Sequence, residues 1–394
     1  MSRMLPRLFS NSPSLDTLKT ACSRTAVHAD YPLAASVKHN IPIYKLPAYA
    51  SLDASARGNL QDEWYRVLVD GPGVFVTSDM YKDKPLLDQV TSVYKSIIQA
   101  EKQQQTSRKG DHFAAGGKND RIWNSLGKHA LADPASFVRY YSNPWLALVC
   151  AAWLGPGYRV TAQVNNVRPG GSPQTCHADY HLGFQGPRAA GRFPRGAHHA
   201  GQFLTLQGAV AHVDVPLASG PTRLLPFSQT MEGSYLAYSL PEVAAYFEEK
   251  HVSLPLEKGD GLFFNPALFH AAGANQSSDV ERLVNLLQVS SAFGKPMEVV
   301  ETRPVVESCW DYLLAMCDGK GAAATTTTTD EVASAVAAIG EGYPFPTNLD
   351  RNSPDKDDMT PPSEQDILFR GLRERRSKQQ VLLDLEDLAF KSRA

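Results

Sequence analysis

Three times this chain sets a histidine two residues before an aspartate: His28/Asp30 and His177/Asp179, each in HAD, and His212/Asp214 in HVD. On an extended strand, residues i and i+2 point to one side, about 6.6 Å apart at the backbone. Two such side chains can bend towards one ion. A third donor from elsewhere completes two imidazoles and one carboxylate on one face of a metal, and the remaining positions stay open for chemistry. The spacing by itself is common, so the surroundings decide among the three copies.

His28/Asp30 lies in an N-terminal stretch with no rigid strand expected around it, and it ranks last. His212/Asp214 lies in the strand pattern AVAHVDVPL, where a core imidazole bonded to a carboxylate is an adequate account. His177/Asp179 follows the turn RPGGSPQ, which aims the start of the next strand at a cavity mouth. Residue logic favours this second pair and leaves the third open. His181 shares the strand face of His177, but i and i+4 stand about 13 Å apart on a strand. Donors bound at about 2 Å cannot span that, so His181 is expected to line a pocket or to be a satisfied polar residue.

The third donor is expected from LEKGDGLFFNPALFHAAGANQSSDVERLVNLLQVSS. There Gly259-Asp260-Gly261 reads as a tight turn, and an apolar strand after it ends at His270. Taken alone, His270 is equally a buried imidazole bonded to backbone. Eleven residues separate it from Arg282 at the start of the next strand. A guanidinium there can take a carboxylate through two parallel hydrogen bonds, which an ammonium does less well. Two His, an Asp and a carboxylate-binding Arg are what an iron enzyme using 2-oxoglutarate needs: the keto acid chelates the iron and its far carboxylate meets the Arg.

The elements that must position these residues follow from pattern. Helices are expected over 52–70 and 85–104, and from Pro134 through WLALVCAAWLG, with a short strand over 70–78 between the first two. From Tyr158 to about Phe293 the chain turns strand-like and Gly/Pro-punctuated, with candidate strands at 158–167, 176–184, 202–217, 222–228, 260–266, 268–273 and 282–293. One helix interrupts them at 240–251. The fold class is mainly β with flanking helices (α+β) around a double-stranded β-helix, or jelly-roll, core. Residues 1–45 read as a loosely ordered arm, 46–300 as the jelly-roll domain with its N-terminal helices, and 301–394 as a helical extension. That extension includes a flexible Thr-rich loop at 320–330 and a last helix opened by the capping pair Ser363/Asp366.

Bulk composition excludes other classes. With 39 basic against 41 acidic residues the net charge is −2, which lacks the basic face of a general nucleic-acid binder. Five cysteines without a CxxC pair give neither a disulfide framework nor a cysteine zinc site and fit a reducing compartment. The longest apolar run, WLALVCAAWL, is half a membrane span, so no integral membrane segment is expected. The N-terminal stretch is Ser-rich, and Arg3, Arg7, Lys19 and Arg24 face only Asp16. That is compatible with a mitochondrial leader, while an untargeted arm, and hence the cytoplasm, is the simpler expectation. Nothing reports on oligomeric state.

The stretches RPGGSPQTCHADYH, SGPTRLLPFSQ and KGDGLFFNPALFHAAGANQSSDVER resemble the phytanoyl-CoA dioxygenase family of iron(II)/2-oxoglutarate oxygenases. The likeness runs over about residues 158–295, and NDRIWNSL (119–126) is similar in style. It implies that His177, Asp179 and His270 hold iron(II), that Arg282 holds 2-oxoglutarate, with Gln174 of the Gln-x-x-His-x-Asp pattern at the cofactor, and that Asp214 is not a ligand. It also implies molecular oxygen as co-substrate, ascorbate as a possible reductant, release of succinate and carbon dioxide, and oxidation, typically hydroxylation, of an unactivated C–H bond in a small organic substrate. An intact Asp179 argues against a halogenase, whose pattern leaves that position empty for chloride. Phe227 stands where the family more often has Gly in a Pro-Gly-Ser-His turn. RLFSNSPSL is similar to a peroxisomal import signal of the form Arg-Leu-x5-His-Leu, with Ser14 in place of the His.

The insertion QGPRAAGRFPRGAHHAGQ (185–202) directly follows the metal strand and is rich in Arg and His. It is either a solvated loop or a lid receiving an anionic substrate, with His181, Arg192 and Arg195 as substrate contacts. Two other classes stand beside the oxygenase. A cupin-like isomerase would keep the metal without needing Arg282, and a catalytically silent binding protein would need no metal.

Overall fold

The computed structural model describes residues 6–9, 13–104, 118–183, 185–318, 330–343, 345, 347–354, 356 and 358–393. The expected Thr-rich loop, Asp330 apart, and most of the polar loop after residue 104 lie outside them. Among the described residues no helix is long and apolar enough to cross a membrane.

By internal contacts the chain divides into two compact units. One comprises Met1–Lys82, Gln105–Arg121 and Val164–Leu287; the other comprises Asp83–Gln104, Ile122–Gln163 and Gln288–Ala394. The expected extension 301–394 therefore shares its unit with the helices of residues 84–104 and 125–154. Among the described residues ten strands are formed: β1 Ser36–Lys38, β2 Ile41–Lys45, β3 Val74–Ser78, β4 Asn119–Ile122, β5 Arg159–Val167, β6 Thr205–Ala211, β7 Arg223–Leu224, β8 Gly261–Phe264, β9 His270–Ala271 and β10 Arg282–Ser290. Eight build one sheet in the order β1-β2-β3-β8-β6-β10-β5-β4, and β7 pairs antiparallel with β9. Among the pairings whose register is defined, only β2 with β3 is parallel. The protein is thus a mixed α+β fold with a large, mainly antiparallel sheet.

The expected strand 176–184 is not a regular strand. It makes one antiparallel bridge, His177 to His270, in which each residue's N–H donates to the other's carbonyl at 3.0 Å. Its side chains still alternate. Cys176, Ala178, Tyr180 and Leu182 enter an apolar cluster, while His177, Asp179 and His181 face the other way. Similar single bridges join Leu224 to Val252 and Val215 to Leu256.

The N-terminal arm departs from expectation. Leu15–Cys22 is a helix, capped by the Ser14 side chain, and Leu18 is fully buried in the cluster behind the metal strand. β1 and β2 extend the main sheet. The physical reason is apolar burial. Leu18 has nowhere else to go, and Tyr44 of β2 packs edge-on against Trp64 and Phe75 and donates its hydroxyl to buried Glu63 at 2.9 Å. The insertion after the metal strand is no simple loop either, since it forms helices Pro187–Ala190 and Arg195–Gln202.

The second unit is mainly helical. Lys84–Gln104, Ser125–Ala132, Pro134–Tyr141 and Pro144–Leu154 pack with Thr302–Asp318, Asp330–Ile339, Glu364–Arg373 and Lys378–Lys391. The capping box at Ser363/Asp366 forms, and a second one forms at Ser377/Gln380.

Candidate metal centre

Two segments bring the donors together. The bridge to β9 sets His177 against His270, with ring centroids 4.4 Å apart. Asp179 is held by its own N–H, which donates to the Pro266 carbonyl at 2.8 Å. One ligand atom from each of His177, Asp179 and His270 lies within 4.8 Å of the others. Asp179 Oδ2 stands 3.7 Å from His177 Nε2 and 3.8 Å from His270 Nε2. Donors bound to one ion at about 2 Å lie roughly 3–4 Å apart, so the spacing is nearly preset.

Both imidazoles are oriented by backbone. Nδ1 of His177 lies 2.7 Å from the Thr175 carbonyl, and Nδ1 of His270 lies 2.8 Å from the Leu268 carbonyl. A carbonyl can only accept, so Nδ1 carries the proton and Nε2 presents its lone pair to the shared space. Burial, with the His177 charge beside it, lowers the His270 pKa to about 4. Its imidazole is therefore neutral, the ligating form, at physiological pH.

The supports are local. Gly259 takes φ 94°, and Asp260 beside it accepts from the N–H groups of Glu257 and Asp79 at 2.9 and 3.0 Å, fixing the turn into β8. Gly220 (φ 72°) lies so close to β9's continuation that an added Cβ would meet the Ala274 carbonyl at 2.2 Å. Leu225 N–H donates to the Phe269 carbonyl, and Phe269 N–H donates to Ser228 Oγ at 2.8 Å, which fastens the residue before His270. Phe227 lies between those anchors at φ 70°, so the turn keeps the left-handed geometry of a glycine without having one.

The other expected site residues are placed as follows. Gln174 accepts from Ala272 N–H on Oε1 at 3.2 Å, tying the approach to the metal strand to the end of β9. Arg282 is buried on β10. Its Nη1 and Nη2 make long contacts to the Gly273 carbonyl (3.4 Å) and Asn165 Oδ1 (3.3 Å), and Nε has no partner. No carboxylate among the described residues pairs with it. Burial and the Arg121 charge lower its pKa to about 10, which leaves it cationic at neutral pH. A buried guanidinium with spare donors fits an incoming carboxylate.

His181 Nδ1 lies 2.6 Å from Thr205 Oγ1. Arg195 forms an ion pair with Glu232, and its guanidinium lies 4.8 Å from the centre of the Phe9 ring. It holds the N-terminal segment to the insertion, while Arg192 is exposed. His212 is buried in the wall of the sheet, and Asp214 accepts from Lys258 N–H at 2.9 Å to close a turn. His28 Nε2 lies 2.8 Å from the Ala34 carbonyl. Neither of those pairs joins a three-donor cluster among the described residues.

Sequence reasoning missed Gln207, which donates from Nε2 to Asp179 Oδ2 at 3.1 Å, and Phe264, whose ring lies 4.7 Å from that of His270. A glutamine inside an apolar strand pattern carries no signal of its own.

Two imidazoles and one carboxylate within reach of a single ion are a donor set suited to a mononuclear non-haem metal. Residues 79–284, just over half of the chain, match the model of the phytanoyl-CoA dioxygenase family (PhyH). The chain belongs to that family, whose enzymes depend on iron(II) and 2-oxoglutarate. It is 27% identical over 148 residues to dioxygenase andF of Emericella variicolor, a match covering 36% of this chain and 45% of that protein, less than half its length. Among solved structures it is similar to the non-haem alpha-ketoglutarate-dependent epimerase SnoN of nogalamycin biosynthesis (22% identity, 63% of this chain and 88% of that one, TM-score 0.41). It is also similar to the carbocyclase SnoK of the same biosynthesis (17% identity, 62% and 96%, TM-score 0.44).

Proposed function

We propose that the protein is a dioxygenase that oxidises, by hydroxylation, an unactivated C–H bond of a small organic substrate, with conversion of 2-oxoglutarate and oxygen to succinate and carbon dioxide. The observation that carries the reading is the conjunction of the preset His177/Asp179/His270 cluster with the buried Arg282, which no carboxylate among the described residues meets. His177, Asp179 and His270 would hold iron(II), and Arg282 the far carboxylate of 2-oxoglutarate. Gln174, whose side chain reaches β9, would border the keto acid. Bound iron and 2-oxoglutarate supply the oxidising power for the C–H bond. The chain's own work is to keep both Nε2 lone pairs turned inward, to keep one carboxylate oxygen between them, and to anchor the keto acid by its charge. His181, on the same face as the ligands, is the substrate contact, with Arg192 at the exposed insertion for an anionic group. Ascorbate would serve only as reductant, and the cytoplasm is the proposed compartment.

The architecture proposed for this site is the double-stranded β-helix. Its support is the run of short antiparallel pairings from His177 to His270, from His270 to Leu224 and from Leu224 to Val252, which stands as a second, smaller sheet beside the eight strands. We place the oxygenase domain up to about residue 300 and start it before residue 46, because the N-terminal helix and β1–β2 are built into the same unit.

The test is 2-oxoglutarate binding and oxygen-dependent succinate release in wild type and Arg282→Leu. Loss of a charge-assisted pair costs about 1.5–3 kcal/mol, so the variant should bind 2-oxoglutarate roughly ten- to hundredfold more weakly with metal affinity unchanged. Equal affinity for the keto acid in both proteins would remove the assignment of Arg282 and favour a metal enzyme outside the oxygenases.

A further inference from the structure

Gln207 lies opposite Phe264 in the β6–β8 register, and the two side chains share one face of the sheet. Each serves a different donor of the cluster: Gln207 Nε2 donates to Asp179 Oδ2, and the Phe264 ring lies against His270. Two residues earlier on the same face of β6, Thr205 meets His181, two residues beyond Asp179. The inward face of β6 therefore runs alongside the metal strand and holds its polar side chains in order.

We infer that Gln207 is a positioning residue for the metal centre, an inference that rests on the proposed metal reading. A carboxylate on a short side chain turns freely about its last bond and can chelate an ion through both oxygens. Gln207 is buried, and its amide donor meets the one oxygen that also faces both Nε2 atoms. That bond restrains rotation of the carboxylate and aims Oδ2 at the space between the two imidazoles, as an outer partner that orients a metal ligand does. The backbone bond from Asp179 N–H to Pro266 places the residue, and Gln207 aims it.

The experiment is titration of the apoprotein with cobalt(II), a spectroscopic stand-in for iron(II), following the dissociation constant and the visible ligand-field bands. Wild type, Gln207→Met and Gln207→Asn are compared. Met keeps length and shape without a donor; Asn keeps the amide but falls one methylene short. Removal of an outer partner of a metal ligand typically costs ten- to hundredfold in affinity. Both variants should lose that much and show an altered band pattern, while near-ultraviolet circular dichroism of the apoproteins matches wild type. Affinity and spectrum of a folded variant within twofold of wild type would overturn the role of Gln207. Absence of cobalt binding by wild type would overturn the metal reading itself, and the inference with it. If Gln207→Met does not fold, Gln207→Asn carries the comparison.

Discussion

Phe227 holds a left-handed backbone (φ 70°), with its ring fully buried under the Arg24 guanidinium at 4.7 Å. For a residue with a Cβ that conformation costs about 1–2 kcal/mol, which glycine escapes. The ring is therefore retained against strain, and the two terms can be separated by substitution. Phe227→Ala removes the ring but keeps the Cβ, so it loses about 3–5 kcal/mol of burial and packing with no relief of strain. Phe227→Gly loses the same packing, gains back about 1–2 kcal/mol of strain and gives up about 0.5–1 kcal/mol to the greater freedom of the unfolded chain. The glycine variant should be at least as stable as the alanine variant, and more stable by up to about 1.5 kcal/mol, the reverse of the usual order, and both should fall below wild type. Urea unfolding midpoints at equal slopes measure the difference. An alanine variant clearly more stable than the glycine variant would refute the strained turn. A glycine variant above wild type would refute the packing value given to the ring.

Two further outcomes follow from the same physics. His129 is buried among Tyr94, Phe137 and Tyr140, its Nε2 2.9 Å from Ser136 Oγ, and burial lowers its pKa from 6.5 to about 4. Between those values the unfolded chain binds the proton and the folded chain does not. Stability is thus full above about pH 6.5 and falls towards pH 4, by up to roughly 1.4 kcal/mol per pH unit for this group; His129→Gln should reduce the slope of stability against pH in that window, and an unchanged slope would remove His129 as a contributor. Leu18→Ala should cost about 2–5 kcal/mol in thermal or urea unfolding, because Leu18 is fully buried behind the metal strand; a neutral effect would mean that the N-terminal helix does not hold that layer.

Much of the candidate site is legible because the chemistry it would carry is tied to spacing. His177 and Asp179 are i and i+2 on one side of an extended segment, and the 13 Å limit that removes His181 as a co-ligand is a property of the strand. His270 and Arg282 were legible because a Gly-Asp-Gly turn announced β8 and the following apolar run announced β10. The segment carrying the metal pair was expected to be a strand, yet only one bridge forms, and burial alternates along it all the same. Side-chain pattern survives where ladder hydrogen bonds do not. β1, β2 and β4 were missed because strands of three to five residues carry little periodicity and are formed by their partners. The polar texture of residues 1–45 hid Leu18 and Tyr44, whose burial depends on contacts far along the chain. Gln207 was invisible for the same reason, since its contact exists only once β6 lies beside Asp179.

The most direct test of the central claim is anaerobic addition of iron(II) and 2-oxoglutarate to wild type, His177→Ala and His212→Ala, watching for the visible charge-transfer band of the chelate. The account predicts a band in wild type and His212→Ala and none in His177→Ala. A band that persists in His177→Ala and vanishes in His212→Ala, or wild type that binds iron without any band, would contradict it.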